Sequence, residues 1–117
     1  MVRFVPILAA AAAVVAASPA FAHARLVSAT PAADSTVSAP STIRLTFSER
    51  FAAPFSSIEL EDGEGRPVAV RQSVSGDGRT LIADAAGPLA PGVYQVRWAI
   101  AAADGHRMTG SYSFTVR

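Results

Sequence analysis

The sequence after residue 22 predicts an all-β domain, an antiparallel Greek-key sandwich or barrel of about seven strands. Three observations predict this class: short runs alternate apolar and polar residues, turn residues separate the runs, and no stretch has a helical period. Alternation with period two is typical of a strand with one buried face. Many short strands in one small domain favour a two-sheet antiparallel arrangement with Greek-key connections.

The expected strands follow one another at short intervals along the chain. They are centred on residues 26–27, 43–47, 58–60, 68–70, 81–83, 93–100 and 112–116. Turn signals such as Asp77-Gly78 and Pro91-Gly92 lie between them. Trp98 lies in mid-strand and is expected in the core, and Tyr94 is expected at a corner where its hydroxyl bonds nearby backbone.

Residues 1–22 have the pattern of a secretion signal. Arg3 gives a positive start, residues 4–17 are almost entirely apolar, and Ala20 and Ala22 supply the small residues that signal peptidase requires. The apolar run is too short for a membrane span, which needs about 20 residues. We therefore expect a signal peptide over 1–22 and a soluble exported domain over 23–117.

Composition excludes several classes of function. The chain contains no Cys, which rules out disulfides and thiolate metal sites. Without Arg3, the arginines of the domain equal its acidic residues in number, which argues against nucleic acid or an anionic membrane as partner. No G-x-S-x-G elbow and no glycine-rich phosphate loop is present, so the sequence offers no familiar catalytic motif.

His23 becomes the first residue of the domain if cleavage follows Ala22. An amino-terminal histidine can bind one metal ion through its imidazole Nδ1 and its free α-amine together, which closes a chelate ring. The alternative is an idle terminus, because most chain ends are frayed and have no role.

The other histidine lies in the motif Asp104-Gly105-His106. Asp104 and His106 can converge on one point, and with His23 they offer three nitrogens and an oxygen. Cu(II) prefers such a set in tetragonal geometry and binds it more tightly than Zn(II) does. Glu49, at the end of a strand, is a candidate second carboxylate. The alternatives are an ordinary Asp-Gly hairpin turn for the motif and an exposed strand-end charge for Glu49.

These residues, with their flanking sequence, resemble the CopC family of periplasmic copper-binding proteins. The resembling segments are HARLVSATPA from His23, IRLTFSE from Ile43, PGVYQVRW from Pro91, DGH from Asp104 and GSYSFTV from Gly110. They cover nearly all of the domain, in order.

The resemblance implies a Greek-key barrel or sandwich of cupredoxin-like or immunoglobulin-like shape. It implies one Cu(II) ion bound by the amine and imidazole of His23, by Asp104 and by His106, with Glu49 close to the site. It also implies a monomeric periplasmic protein for copper homeostasis or resistance, not an enzyme, that serves a CopD-type inner-membrane copper transporter. Some members have a second, Cu(I) site in a methionine-rich loop. Residues 60–67 have neither Met nor His here, and Met108 is expected to pack, so a Cu(II)-only member is expected.

Two other functions remain open from the sequence. An amino-terminal histidine with a second histidine also resembles the copper brace of oxidative polysaccharide monooxygenases, although Asp104 and Glu49 would fill the positions that oxygen needs. A metal-free immunoglobulin-like interaction module is the other alternative, for which His23 would be dispensable.

Overall fold

The computed structural model describes Arg3 and residues 24–117 of the chain. Most of the expected signal peptide and the expected ligand His23 therefore lie outside the described residues. The described strands are β1 (Leu26–Thr30), β2 (Thr36–Val37), β3 (Thr42–Phe47), β4 (Ser57–Glu61), β5 (Pro67–Val68), β6 (Val70–Val74), β7 (Thr80–Ala85), β8 (Gly92–Ala101) and β9 (Arg107–Val116). The 3₁₀ turn Ala53–Phe55 precedes β4.

The strands form two sheets, which confirms the predicted all-β antiparallel sandwich. One sheet has the order β1-β3-β7-β6 and the other has the order β2-β9-β8-β4-β5. All the pairings are antiparallel except that of β2 with β9, which is parallel. The described part of the chain has nine strands where about seven were expected. The short β2 had no alternating pattern to reveal it, and the run 68–70 divides at Ala69 between the two sheets.

The core fills the space between the sheets with alternate residues of the long strands. Its largest fully buried side chains come from both sheets and are Phe47, Phe114, Ile43, Leu45, Leu60, Leu81, Ile100 and Val96. Because successive strand residues face opposite sides, this alternation is the period-two pattern of the sequence. The buried apolar face therefore fixes the register of each strand.

The expectations for Tyr94 and Met108 are confirmed, and Trp98, expected in the core, lies at its edge. The Tyr94 hydroxyl donates a hydrogen bond to the Ala90 carbonyl oxygen over 2.7 Å, as expected for a corner tyrosine. Trp98 and Met108 are half-buried and pack against the core. The Trp98 indole meets the Phe47 ring edge-on, with 5.0 Å between ring centroids.

No helix among the described residues is both long and apolar enough to cross a membrane.

Candidate metal centre

Three connections of the sandwich and the start of β1 meet at one end of it, which we call the site end. The connections are those that follow β3, β6 and β8. Strand β1 begins there, because its first residue, Leu26, pairs with Phe47, the last residue of β3. The β6–β7 turn reaches the same end, since Thr46 pairs with Thr80. The β8–β9 hairpin turn joins them, because Phe51 forms an isolated bridge with Ala102. Antiparallel pairing thus collects segments that lie far apart in sequence.

The hairpin turn over residues 102–106 carries the first two candidate ligands. The turn is closed by a hydrogen bond from the Ala102 N–H to the His106 carbonyl oxygen over 2.9 Å. Gly105 adopts a φ of 88°, in the left-handed region that favours glycine. Asp104 Oδ1 accepts the His106 N–H over 3.0 Å, and this side-chain contact shapes the turn from within.

The side chains of Asp104 and His106 also meet directly. His106 Nδ1 lies 2.8 Å from Asp104 Oδ2, and the two side chains are 67% and 47% exposed for His106 and Asp104 respectively. An ionised carboxylate only accepts hydrogen bonds, so Nδ1 is the donor in this pair. The contact places an imidazole nitrogen and a carboxylate oxygen side by side on an exposed turn, and both are groups that can bind a metal ion.

The segment 48–52 runs along the base of this hairpin. After β3 the chain bends, and the Ala52 N–H donates to the Ala101 carbonyl oxygen over 2.9 Å. Phe51 is buried and meets the Phe47 ring edge-on. Glu49 lies in the bend and is half-buried. Backbone pairing therefore brings the segment of Glu49 beside the turn that carries Asp104 and His106.

The β6–β7 turn supports the segment 48–52 from the other side. The Phe51 N–H donates to the Gly78 carbonyl oxygen over 3.2 Å. Asp77 holds this turn by accepting hydrogen bonds from the Ser75 hydroxyl and the Arg79 N–H. The Ser75 hydrogen bond is the main cause that lowers the pKa of Asp77 from its ordinary value of 3.8. The stabilising contribution of Asp77 is therefore present above that value and is lost as pH falls through its lower folded pKa.

The start of the described domain is held against the same bend. Ala24 is completely buried in the core cluster. The Arg25 N–H donates to the Ser48 hydroxyl oxygen over 3.0 Å, and the Ser48 N–H donates to the Arg25 carbonyl oxygen over 2.9 Å. The two residues that follow His23 in sequence are thus fixed next to the segment that contains Glu49.

The predicted site residues therefore have different outcomes. Asp104 and His106 are in direct contact, Glu49 lies on the neighbouring segment, and His23 lies outside the described residues. Within residues 24–117, no three His, Cys, Asp or Glu side chains form a group that could hold a metal ion. Sequence reasoning missed Ser48, because a serine after a strand carries no signal that its hydroxyl binds a distant backbone.

Comparison with known proteins identifies the family of this domain. The sequence profile of the CopC domain matches residues 26–117. The chain belongs to the CopC family. Among its relatives, copper resistance protein C of Xanthomonas campestris pv. juglandis is 39% identical over 113 residues, covering 91% of this chain and 89% of the relative. Copper resistance protein C of Pseudomonas syringae pv. tomato is 41% identical over 103 residues, covering 82% of each chain.

Solved structures of CopC proteins have the same fold. The crystal structure of PcoC, a methionine-rich copper resistance protein from Escherichia coli, superposes with a TM-score of 0.77 at 37% identity. That match covers 82% of this chain and all of PcoC. CopC from Methylosinus trichosporium OB3b superposes with a TM-score of 0.74 at 35% identity, covering 80% of this chain and 93% of that one.

Proposed function

We propose that this CopC-family protein binds one Cu(II) ion at the site end, in the bacterial periplasm. The observation that carries the proposal is the Asp104–His106 pair on an exposed hairpin turn, beside the fixed start of β1. The names of its relatives, copper resistance proteins, support copper as the cargo. In this proposal residues 1–22 are a signal peptide, and cleavage makes His23 the first residue of the domain 23–117.

Each candidate ligand has a distinct role in the proposed site. His23 supplies its imidazole and its free α-amine. His106 supplies an imidazole nitrogen, and Asp104 supplies a carboxylate oxygen that exchanges its contact with His106 Nδ1 for the ion. Glu49 adds a second negative charge near the ion. Three nitrogens and one oxygen suit Cu(II). Because protons compete for the imidazole and amine nitrogens, affinity for Cu(II) decreases in acid.

The amino-acid composition favours Cu(II) over Cu(I). Thioether and thiolate sulfur are the ligands that favour Cu(I), and the chain has no Cys and two Met. Met1 begins the proposed signal peptide, and Met108 packs against the core. The relative PcoC is described as methionine-rich, and this chain differs from it in that respect.

Equilibrium chelation, and not turnover, is the proposed mode of action. The domain is proposed to act as a monomer that sequesters Cu(II) or passes it to an inner-membrane copper transporter of the CopD type. The exposed position of the Asp104–His106 pair suits this role, because a partner's ligands can approach a bound ion without unfolding the domain.

Thermal unfolding with and without Cu(II) tests this proposal. An ion that binds only the folded domain stabilises it by about 2.7 kcal/mol at 100 times Kd. For a domain of this size, that corresponds to an increase in Tm of roughly 10 °C or more. We expect this increase for the chain beginning at His23 and expect His106→Ala to abolish most of it.

Glu64→Gln is the matched control, because it removes an exposed carboxylate from the β4–β5 hairpin at the opposite end of the sandwich. We expect it to retain the full Cu(II)-dependent increase in Tm. An increase that persists unchanged in His106→Ala would contradict the proposed site.

A further inference from the structure

The Ser48 side chain takes the place of a backbone group in the sheet. Leu26 pairs with Phe47, so Arg25 and Ser48 occupy the next position of the β1–β3 ladder. Ser48 lies in the bend that directs the chain toward Phe51. Its hydroxyl accepts the Arg25 N–H, while its own N–H donates to the Arg25 carbonyl oxygen. Both the N–H and the carbonyl oxygen of Arg25 are therefore hydrogen-bonded to Ser48, although Ser48 lies beyond the end of β3.

Ala24 adds a second constraint immediately before Arg25. It is fully buried against the core, so its methyl group occupies a closed space. Interiors of this kind are closely packed and resist added volume. Ala24 and Arg25 together form a fixed point at the start of the described domain. Consecutive Cα atoms are about 3.8 Å apart, so the reach from this point is short.

We propose that Ser48 is a positioning residue for the amino-terminal half of the copper site. By fixing Arg25 and with it Ala24, Ser48 presents the α-amine and imidazole of His23 to the turn of Asp104 and His106. A chelate attached to a fixed point loses less conformational freedom on binding than one on a frayed end. This inference rests on the proposed function, and Ser48 itself does not contact the ion.

Cu(II) competition titrations of variants at position 48 test the inference. The protein is the chain beginning at His23, prepared with and without one additional Ala before it. We expect Ser48→Ala to weaken Cu(II) binding about tenfold in the chain that begins at His23, the lower end of the effect of outer-shell partners. In the extended chain, where the amine chelate is destroyed, the same substitution should cause no further loss.

Two further variants separate positioning from a general effect on folding. Ser48→Thr keeps a hydroxyl and should restore most of the affinity. Ser35→Ala removes a comparable side-chain hydrogen bond, to the Ala32 carbonyl oxygen, and should bind Cu(II) like the unsubstituted protein. Hydrogen exchange of the Arg25 amide, measured without copper, should become faster in Ser48→Ala and remain slow in Ser48→Thr.

Each alternative outcome has a distinct meaning. Unchanged affinity in Ser48→Ala, or an equal loss with and without the additional Ala, would overturn the positioning role. Weak Cu(II) binding by the unsubstituted chain beginning at His23 would overturn the proposed function itself, and the inference with it.

Discussion

The turn of Asp104 and His106 and the amino-terminal segment contribute to the same proposed site but are built in different ways. The turn is shaped by contacts within residues 102–106, with Asp104 binding both the backbone and the ring of His106. The segment at Ala24 and Arg25 depends on Ser48, which is 23 residues further along the chain from Arg25. One half of the site is therefore local in sequence, and the other half depends on the assembled sandwich.

This difference predicts how each half responds to damage. Substitutions in the turn should change copper binding with little effect on folding, because the turn is exposed. Substitutions in the core of the sandwich should disturb the amino-terminal half of the proposed site first, because that half depends on the packing of Phe47 and on the end of β3.

Gly110→Ala should have the largest effect on stability. Gly110 lies opposite Trp98 in the β8–β9 pair, and a methyl group at position 110 would lie 2.8 Å from Trp98 Nε1 and closer still to the ring carbons. Trp98 packs on Phe47, which pairs with Leu26 at the start of β1. We expect about 3 kcal/mol of destabilisation in urea unfolding, at the upper end for overpacking.

Gly110→Ala should affect the two halves of the proposed site unequally. Hydrogen exchange should increase more at the Arg25 amide than at the Ala102 amide of the turn. Gly76→Ala is the control, because a methyl group there meets no atom within 4 Å. Equal increases in exchange rate at both amides would show that the two halves of the site depend equally on the packing of the sandwich, which would contradict the difference proposed between them.

Asp104→Asn tests the local half of the site alone. An amide oxygen can still accept the His106 N–H, but the negative charge is lost, and so is the carboxylate acceptor for Nδ1. We expect Cu(II) affinity to decrease about 10- to 100-fold, with little change in the Tm of the metal-free protein. Competition titration and thermal unfolding measure the two effects, and an unchanged affinity would remove Asp104 from the proposed site.

Tyr112→Phe should have the smallest effect and should leave both halves intact. Among the described residues, the buried Tyr112 hydroxyl has no hydrogen-bond partner. Burial raises the pKa of Tyr112 from 10.0 to about 12. The neutral phenol is thus favoured by folding, and the stability of the domain should decrease as pH rises from about 10 toward 12.

Removal of that hydroxyl should increase stability by about 1 kcal/mol at neutral pH. It should also make the loss of stability above pH 10 smaller. Urea unfolding at both pH values measures this, and Cu(II) affinity should not change. A clear loss of stability at neutral pH would mean that the hydroxyl has a hydrogen-bond partner.

The sequence predicted the fold and the convergence of Asp104 and His106 on one turn. Alternating apolar residues mark a strand wherever one face is buried, so the strands that contain Leu45, Val96 and Phe114 were visible. The motif Asp104-Gly105-His106 carries its own turn chemistry, and its candidate ligands meet as expected. This turn could be predicted from the sequence because its contacts join residues only two positions apart.

The non-local contacts were not predictable in the same way. The two-residue strand β2 is defined by its pairing with β9 and not by its own pattern. Arg25 and Ser48 meet because the β1–β3 pair ends at Leu26 and Phe47, which leaves these two residues at the next position, and no spacing in the sequence encodes that. The Phe51–Ala102 bridge likewise follows from the three-dimensional path of the bend after β3.

The most direct test of the account is a Cu(II) competition titration of the chain beginning at His23, compared with the same chain carrying one additional Ala before it. The additional residue removes the free-amine chelate and keeps both histidines, Asp104 and Glu49. We predict tight one-to-one binding by the first protein and a decrease in affinity of orders of magnitude in the second. Equal affinity in the two proteins would contradict this prediction, because the amine of His23 would then not be a ligand.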